Sequence, residues 1–260
     1  MKKLFALLIA LTLMLCAASA GAETVLEKIK NSGVITLGTE ATYPPYEYLD
    51  DNANFAGCDI WLANKIADAL GVKLEIIDMS FDGIIPAVQS GQVDIGIAAF
   101  TKTPERAEVI DFSAVYEVSA QLLIVKAGNA DVFATKDSMA GKQVGAQLGT
   151  VQSQLIESAL PQSTLFELPT YPELALETIN GNIVGFVVDN EVGQSMVASS
   201  DGALEISAFE FTAEEASFGK AAVIAKGNED FVAAVNEVIE AALADGSYLE
   251  AKAEAVEATK

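Results

Sequence analysis

A two-lobed α/β fold is what this sequence predicts, on three observations. From residue 33 onward, β-rich runs alternate with runs whose apolar residues recur at helical spacing. Those runs come in two sets, and extended segments near 121–126 and 218–225 sit where crossings between the sets fall. The 260 residues are half apolar, enough to bury a sizeable core in one large domain or in two lobes.

The elements follow in order. A short amphipathic helix precedes the β-rich run 33–40. Residues 59–71, DIWLANKIADALG, have apolar residues at helical spacing and end at Gly71, a natural C-cap. The strand 72–79 leads to a helix over 81–91 that contains Pro86 and stops at Gly91. Residues 93–100, VDIGIAAF, are too apolar for a strand with one wet face and belong in the middle of a sheet. Strands separated by helices imply parallel βαβ units.

The second set begins with the strand 121–128. A helix-cap region and a strand fill 138–150, a helix follows over 151–160, a strand over 163–169 and a helix over 172–181. The strand 183–190 ends at Asp189, residues 218–227 form one more strand, and 228–256 read as helices broken near Asp245 and Gly246. The expected division is 23–121 plus 220–260 for the first lobe and 122–219 for the second. No Pro- or Gly-rich linker separates them, so the connection is short and hinge-like.

Residues 1–22 differ from the rest. Lys2 and Lys3 precede an apolar run from Leu4 to Leu15, then CAASAGA, with no acidic residue before Glu23. This is the pattern of a secretory signal peptide, with cleavage after Ala20 or Ala22, and it is too short for a membrane span. Cys16 has two readings: it leaves with the signal, or it carries a lipid anchor, against which Leu15 stands where a small residue is preferred. The product lies outside the cytoplasmic membrane, periplasmic or at the cell surface. Without Cys16 the chain keeps Cys58 alone, so no internal disulfide forms.

Composition excludes several functions. The formal charge is −22, from 15 Lys and Arg against 37 Asp and Glu, which argues against nucleic-acid binding. There is no histidine, which removes the usual general base and the commonest transition-metal ligand. No metal or cofactor is expected.

Open parallel sheets bind ligands at the carboxyl ends of their strands. Four such ends carry chemistry: residues 40–46, 100–106, 149–151 and Asp189. Arg106 beside Thr101 suits a carboxylate, which a guanidinium takes with two parallel hydrogen bonds. The competing reading is a surface pair with Glu105 or Glu108. Asp189 suits an ammonium, or caps the helix that follows it. Thr150, after Gly149, leads into a helix whose first N–H groups face an anion, or caps it. Tyr43 and Tyr46 offer flat walls, or pack in a loop. A carboxylate grip and an ammonium grip together describe a free α-amino acid.

The order of these motifs resembles that of the extracellular solute-binding proteins of ABC importers that take up polar amino acids. GTEATYPPYEY, GCDIWLANKIADALG, FDGIIPAVQSGQVDIGIAAFTKTPERAEVIDFS, VGAQLGT and VVDNEV carry the resemblance over residues 24–250. It implies a type II periplasmic-binding-protein fold, each lobe a mixed, mainly parallel sheet flanked by helices. It implies a monomer that closes on an amino acid and delivers it to a permease and its ATPase, and that is not an enzyme. The alternatives are a sensor lobe with a separate signalling partner, or a cleft enzyme such as a dehydratase on the same fold.

The resemblance also implies roles. Arg106 takes the α-carboxylate with Thr101 and, from the second lobe, Thr150. Asp189 and the Ala99 carbonyl take the ammonium. Tyr43 stacks on the ligand with Tyr46 nearby, and Glu40 reads a side chain that is polar or cationic. Ala98, Phe100, Gly149 and Val151 flank these positions. Cys58 stands where many relatives place an aromatic, and is either a cleft residue or a small buried filler. Phe81, Pro86, Asp94 and Phe112 are family-like and structural. FSAVYEV lacks the usual Asp-Pro after its serine, and no acidic residue stands near Val184.

Overall fold

The structure, a computed structural model, describes residues 23–259; the leader, Cys16 and both cleavage positions lie outside the described residues. Two five-stranded sheets form the lobes. The first runs, in spatial order, Lys73–Asp78, Val34–Thr39, Ile95–Gly96, Val223–Ile224 and Asp111–Phe112. The second runs Thr164–Leu168, Gln143–Gln147, Gly185–Asp189, Gln121–Lys126 and Leu204–Ile206. In each, four strands share one direction and one is reversed: Val223–Ile224 in the first and Gln121–Lys126 in the second. The reversed strand is the one by which the chain enters from the other lobe.

A two-stranded antiparallel ribbon joins the sheets. Glu117–Ser119 pairs with Phe218–Lys220, and Glu117 lies opposite Lys220. The first crossing therefore falls earlier than the sequence suggests, because Gln121–Lys126 already belongs to the second sheet. The expected strand over 218–227 is two strands, one in the ribbon and one in the first sheet.

Glycines set the helix limits. Cys58–Leu70 ends at Gly71 and Phe81–Ser90 at Gly91, both in the left-handed conformation. Gly57 precedes the first of these with φ 114°, where a Cβ atom would lie 2.1 Å from the Tyr46 carbonyl oxygen. Only glycine fits there, and this close approach fixes the small antiparallel sheet of Thr42–Tyr43, Glu47–Leu49 and Phe55–Ala56 against the helix. The sequence suggested only a loop there.

Each lobe has its own core. Ile35, Leu37, Leu62, Ile66 and Ile95 are buried with Phe231, Val235 and Ile239 of the long helix Glu229–Ala244. Leu123, Val125, Val144, Leu155, Ile156 and Val187 fill the second lobe. The first core continues across the cleft, for the Tyr43 ring meets Tyr171 at 5.1 Å and Tyr171 meets Phe186 at 5.9 Å. The lobes are shut. Among the described residues no helix is long and apolar enough to cross a membrane.

Candidate functional site

The carboxyl ends of the parallel strands converge on the cleft. Glu40 follows Val34–Thr39, Gly149 and Thr150 follow Gln143–Gln147, and Asp189 ends Gly185–Asp189. Glu40, Thr150 and Asp189 surround about 310 Å³ of empty space that is also lined by Tyr43, Glu47, Phe81, Ala98, Ala99, Thr101, Arg106, Gln147, Val151, Gln152 and Tyr171.

Arg106 sits in the helix Pro104–Val109, whose N-cap Thr103 accepts from the Arg106 N–H at 3.2 Å. Proline at the first position and threonine before it give the short helix its start. Nη1 donates to the Thr101 carbonyl at 2.8 Å and Nη2 to the Gly149 carbonyl at 2.9 Å, so the guanidinium spans both lobes. The Phe81 and Phe100 rings lie 5.6 and 5.5 Å from it. Among the described residues neither Glu105 nor Glu108 pairs with it, which removes the surface-pair reading. Burial pushes the guanidinium down to about 10, and it stays charged at neutral pH.

Asp189 is the opposite case. Oδ2 accepts from the Tyr43 hydroxyl at 2.5 Å and from Lys220 Nζ at 2.6 Å. Oδ1 accepts from Gln121 Nε2 at 2.6 Å and from the Ser119 hydroxyl. Burial alone would raise this carboxyl, but the charge of Lys220 and these hydrogen bonds outweigh it and hold Asp189 below the usual carboxylate range. Asp189 occupies the N-cap position of Asn190–Ala198 without capping it, because its side chain turns to Lys220. Thr150 likewise precedes Val151–Ala159 without a side-chain cap; its hydroxyl donates to the Gln147 carbonyl at 2.7 Å. Neither residue fills the capping role.

Glu40 is buried and accepts from the Thr42 hydroxyl and from Gln147 Nε2 at 3.3 Å. Burial raises it to about 7, against which these hydrogen bonds act. Near neutral pH it therefore passes between acceptor and donor. Ala99 takes a positive φ of 47° at the wall of the cleft, uncommon for a residue with a Cβ atom. Its N–H donates to Asp59 Oδ2 at 2.7 Å, and the Tyr116 hydroxyl donates to the same oxygen at 2.9 Å.

Four expected residues fall outside the lining. The Tyr46 hydroxyl turns away to Glu117 at 2.6 Å, and its ring lies 4.7 Å from Lys220 Nζ. Cys58 is buried behind the wall, with the Tyr248 hydroxyl 3.8 Å from its sulfur, which corrects the cleft reading and agrees with the small buried filler. Phe100 stacks on Phe81 at 4.6 Å beneath the guanidinium. Gly149 meets Arg106 through its carbonyl alone. Phe81, read as structural, lines the cleft instead.

Sequence reasoning missed Glu47, Gln147, Gln152, Tyr171 and above all Lys220. The signal for Lys220 was a lone lysine in the apolar run FGKAAVIA. Its side chain is fully buried, where a lysine is almost never found unless paired.

Two lobes shut on a cleft that offers one guanidinium and several carboxyls have the build of a two-lobe solute receptor. The model of the bacterial extracellular solute-binding proteins, family 3, matches residues 35–256, and the chain belongs to that family. It is 29% identical over 243 residues to the L-cystine-binding protein TcyJ of Escherichia coli K12, covering 92% of this chain and 88% of that protein. It is 29% identical over 255 residues to a probable histidine-binding protein of Campylobacter jejuni, covering 95% and 96%. Among solved structures, the amino acid ABC transporter substrate-binding protein AbpA of Streptococcus pneumoniae, bound to L-arginine, superposes with a TM-score of 0.86. That match has 30% identity and covers 90% of this chain and 98% of the other. An ancestral amino-acid-binding protein described as a precursor of cyclohexadienyl dehydratase superposes with a TM-score of 0.81, at 30% identity, covering 89% of this chain and 99% of the other.

Proposed function

We propose that the protein captures one free α-amino acid between its lobes, outside the cytoplasmic membrane, and delivers it to the permease and ATPase of an ABC transporter. The observation that carries this reading is Arg106, a cation beside a stacked pair of aromatic rings that donates to one carbonyl of each lobe and faces the cleft. The ligand's α-carboxylate is the anion that completes it, with the Thr101 and Thr150 positions beside it. Shutting the cleft removes water, and charge-assisted hydrogen bonds are stronger in the resulting lower dielectric. A ligand that touches both lobes binds the shut form better than the open one, and that difference shifts the population.

The side chain of the ligand is read by Glu40 and Gln147, which favour a polar or cationic group. Relatives named for binding arginine, histidine and cystine support that class. The leader in residues 1–22 supports export, with Cys16 either removed or lipid-modified. A dehydratase reading draws on one ancestral neighbour, but Asp189 is engaged by four donors, which favours binding over acid–base work by that carboxylate. Calorimetric titration with the twenty amino acids and cystine tests the proposal. One or a few should bind with micromolar or tighter affinity. Absence of binding by all of them at millimolar concentration overturns it.

A further inference from the structure

Resting on the amino-acid-receptor reading, we propose that Lys220 is a specificity-determining residue, a tethered ammonium that competes with the ligand's own α-ammonium for Asp189. Each oxygen of Asp189 accepts from two donors, Ser119 and Gln121 on one, Tyr43 and Lys220 on the other. A carboxylate offers about four lone-pair sites, so the acidic arm is full. Lys220 is 0% exposed and ends the ribbon strand Phe218–Lys220. A ligand ammonium reaches Asp189 by displacing one of these four donors, and Lys220 is the one that carries the same charge as the ligand ammonium.

Two buried carboxyls give the displaced lysine a destination. Oε2 of Glu47 and Oδ1 of Asp59 accept from no N–H or hydroxyl donor among the described residues, and the two carboxyls act on each other, the Asp59 charge and a shared hydrogen bond raising Glu47. Burial raises both carboxyls, and the charge of Lys220 acts against that rise in each, so the three groups already interact. Exchange replaces one ammonium on Asp189 with another, and the ligand gains only the difference between two similar ion pairs. Selection then rests on the carboxylate at Arg106 and on the ligand's side chain. An apolar residue at 220 would leave Asp189 a buried charge with an unfilled site, and the ligand's ammonium would gain the full pairing.

The test titrates the wild type, Lys220→Met and Lys220→Gln calorimetrically with the twenty amino acids, and with the α-deaminated carboxylic acid of the tightest binder. In the wild type the amino acid and its deaminated analogue should bind within about tenfold of each other, at or below the lower end of what a charge-assisted hydrogen bond contributes. Lys220→Met should bind the amino acid at least tenfold tighter than the wild type does and reject the deaminated analogue about a hundredfold, with Lys220→Gln between. A wild-type preference for the amino acid above a hundredfold overturns the proposal and leaves the receptor reading intact. So does a folded Lys220→Met with unchanged or weaker affinity. Should Lys220→Met not fold, the wild-type pair and Lys220→Gln decide. Binding by Lys220→Met alone supports the competition and overturns the receptor reading of the wild type; binding by no form overturns both.

Discussion

The two charged arms of the cleft differ in what the protein itself supplies to them. Arg106 has two backbone carbonyls and two aromatic faces but no carboxylate. Asp189 has a lysine, a tyrosine, a serine and a glutamine. Carbonyls hold a guanidinium in place without neutralising it, so its charge has no counter-ion among the described residues. A buried ammonium neutralises its carboxylate outright. Opposite charges facing one cleft are therefore not equivalent handles, and the difference lies in the counter-ion rather than in burial.

The sharpest way to break that comparison is to empty the acidic arm. Asp189→Ala strands Lys220 as an uncompensated buried charge and should cost about 3–5 kcal/mol of folding stability, measured by urea denaturation. A loss under about 1 kcal/mol would mean that the pair is not buried as described. Tyr43→Phe removes one of four donors to a charged acceptor and should cost about 1.5–3 kcal/mol in the same measurement. A neutral result would mean that the arm is not saturated.

Glu40 gives a subtler test, through pH. Its folded value, about 7, lies above the ordinary 4.5, so between those values the folded state binds more protons than the unfolded one. Its contribution is fully present below about pH 4.5 and is lost as pH rises through 7. Asp59, raised to about 6 by burial, acts with the same sign. Stability should therefore rise as pH falls from 7.5 to 5.5, and Glu40→Gln should remove on the order of 1 kcal/mol of that rise. An unchanged slope would place the titration elsewhere. The smallest effect is expected at Cys58, buried behind the wall with its thiol pushed up by burial. Its labelling by a thiol reagent should be slow and equal with and without a bound amino acid; protection by the amino acid would put it in the cleft.

The fold was legible where local chemistry and burial agree. Gly71 and Gly91 end their helices as read, and the apolar run 93–100 does supply the middle strand of its sheet. Only Ile95–Gly96 counts as strand, because the residues after it leave the sheet to form the cleft wall, with Ala99 turned to positive φ and Thr101 bridged to Lys220. Burial makes such a run apolar whether or not it is paired. Arg106 was legible as a cleft residue because it follows the end of the apolar run, beside Thr101 and Thr103, in a chain with only 15 Lys and Arg. Lys220 was not, because its partner Asp189 lies 31 residues away on the other lobe, and no local pattern says which way a lone lysine in a crossing strand points. Cys58 stayed open between two readings for a similar reason: the helix start puts it beside the cleft in sequence, and the Tyr248 hydroxyl that meets its buried sulfur comes from the distant C-terminal helix Ser247–Ala258.

The most direct measurement compares the wild type with Arg106→Ala by calorimetric titration with the tightest-binding amino acid, with stability followed in parallel. Arg106→Ala should bind at least a hundredfold more weakly, a loss of about 3 kcal/mol or more. Its folding stability should fall much less. A tenfold or smaller loss of affinity in a folded Arg106→Ala would contradict the account, because the carboxylate would then be held elsewhere.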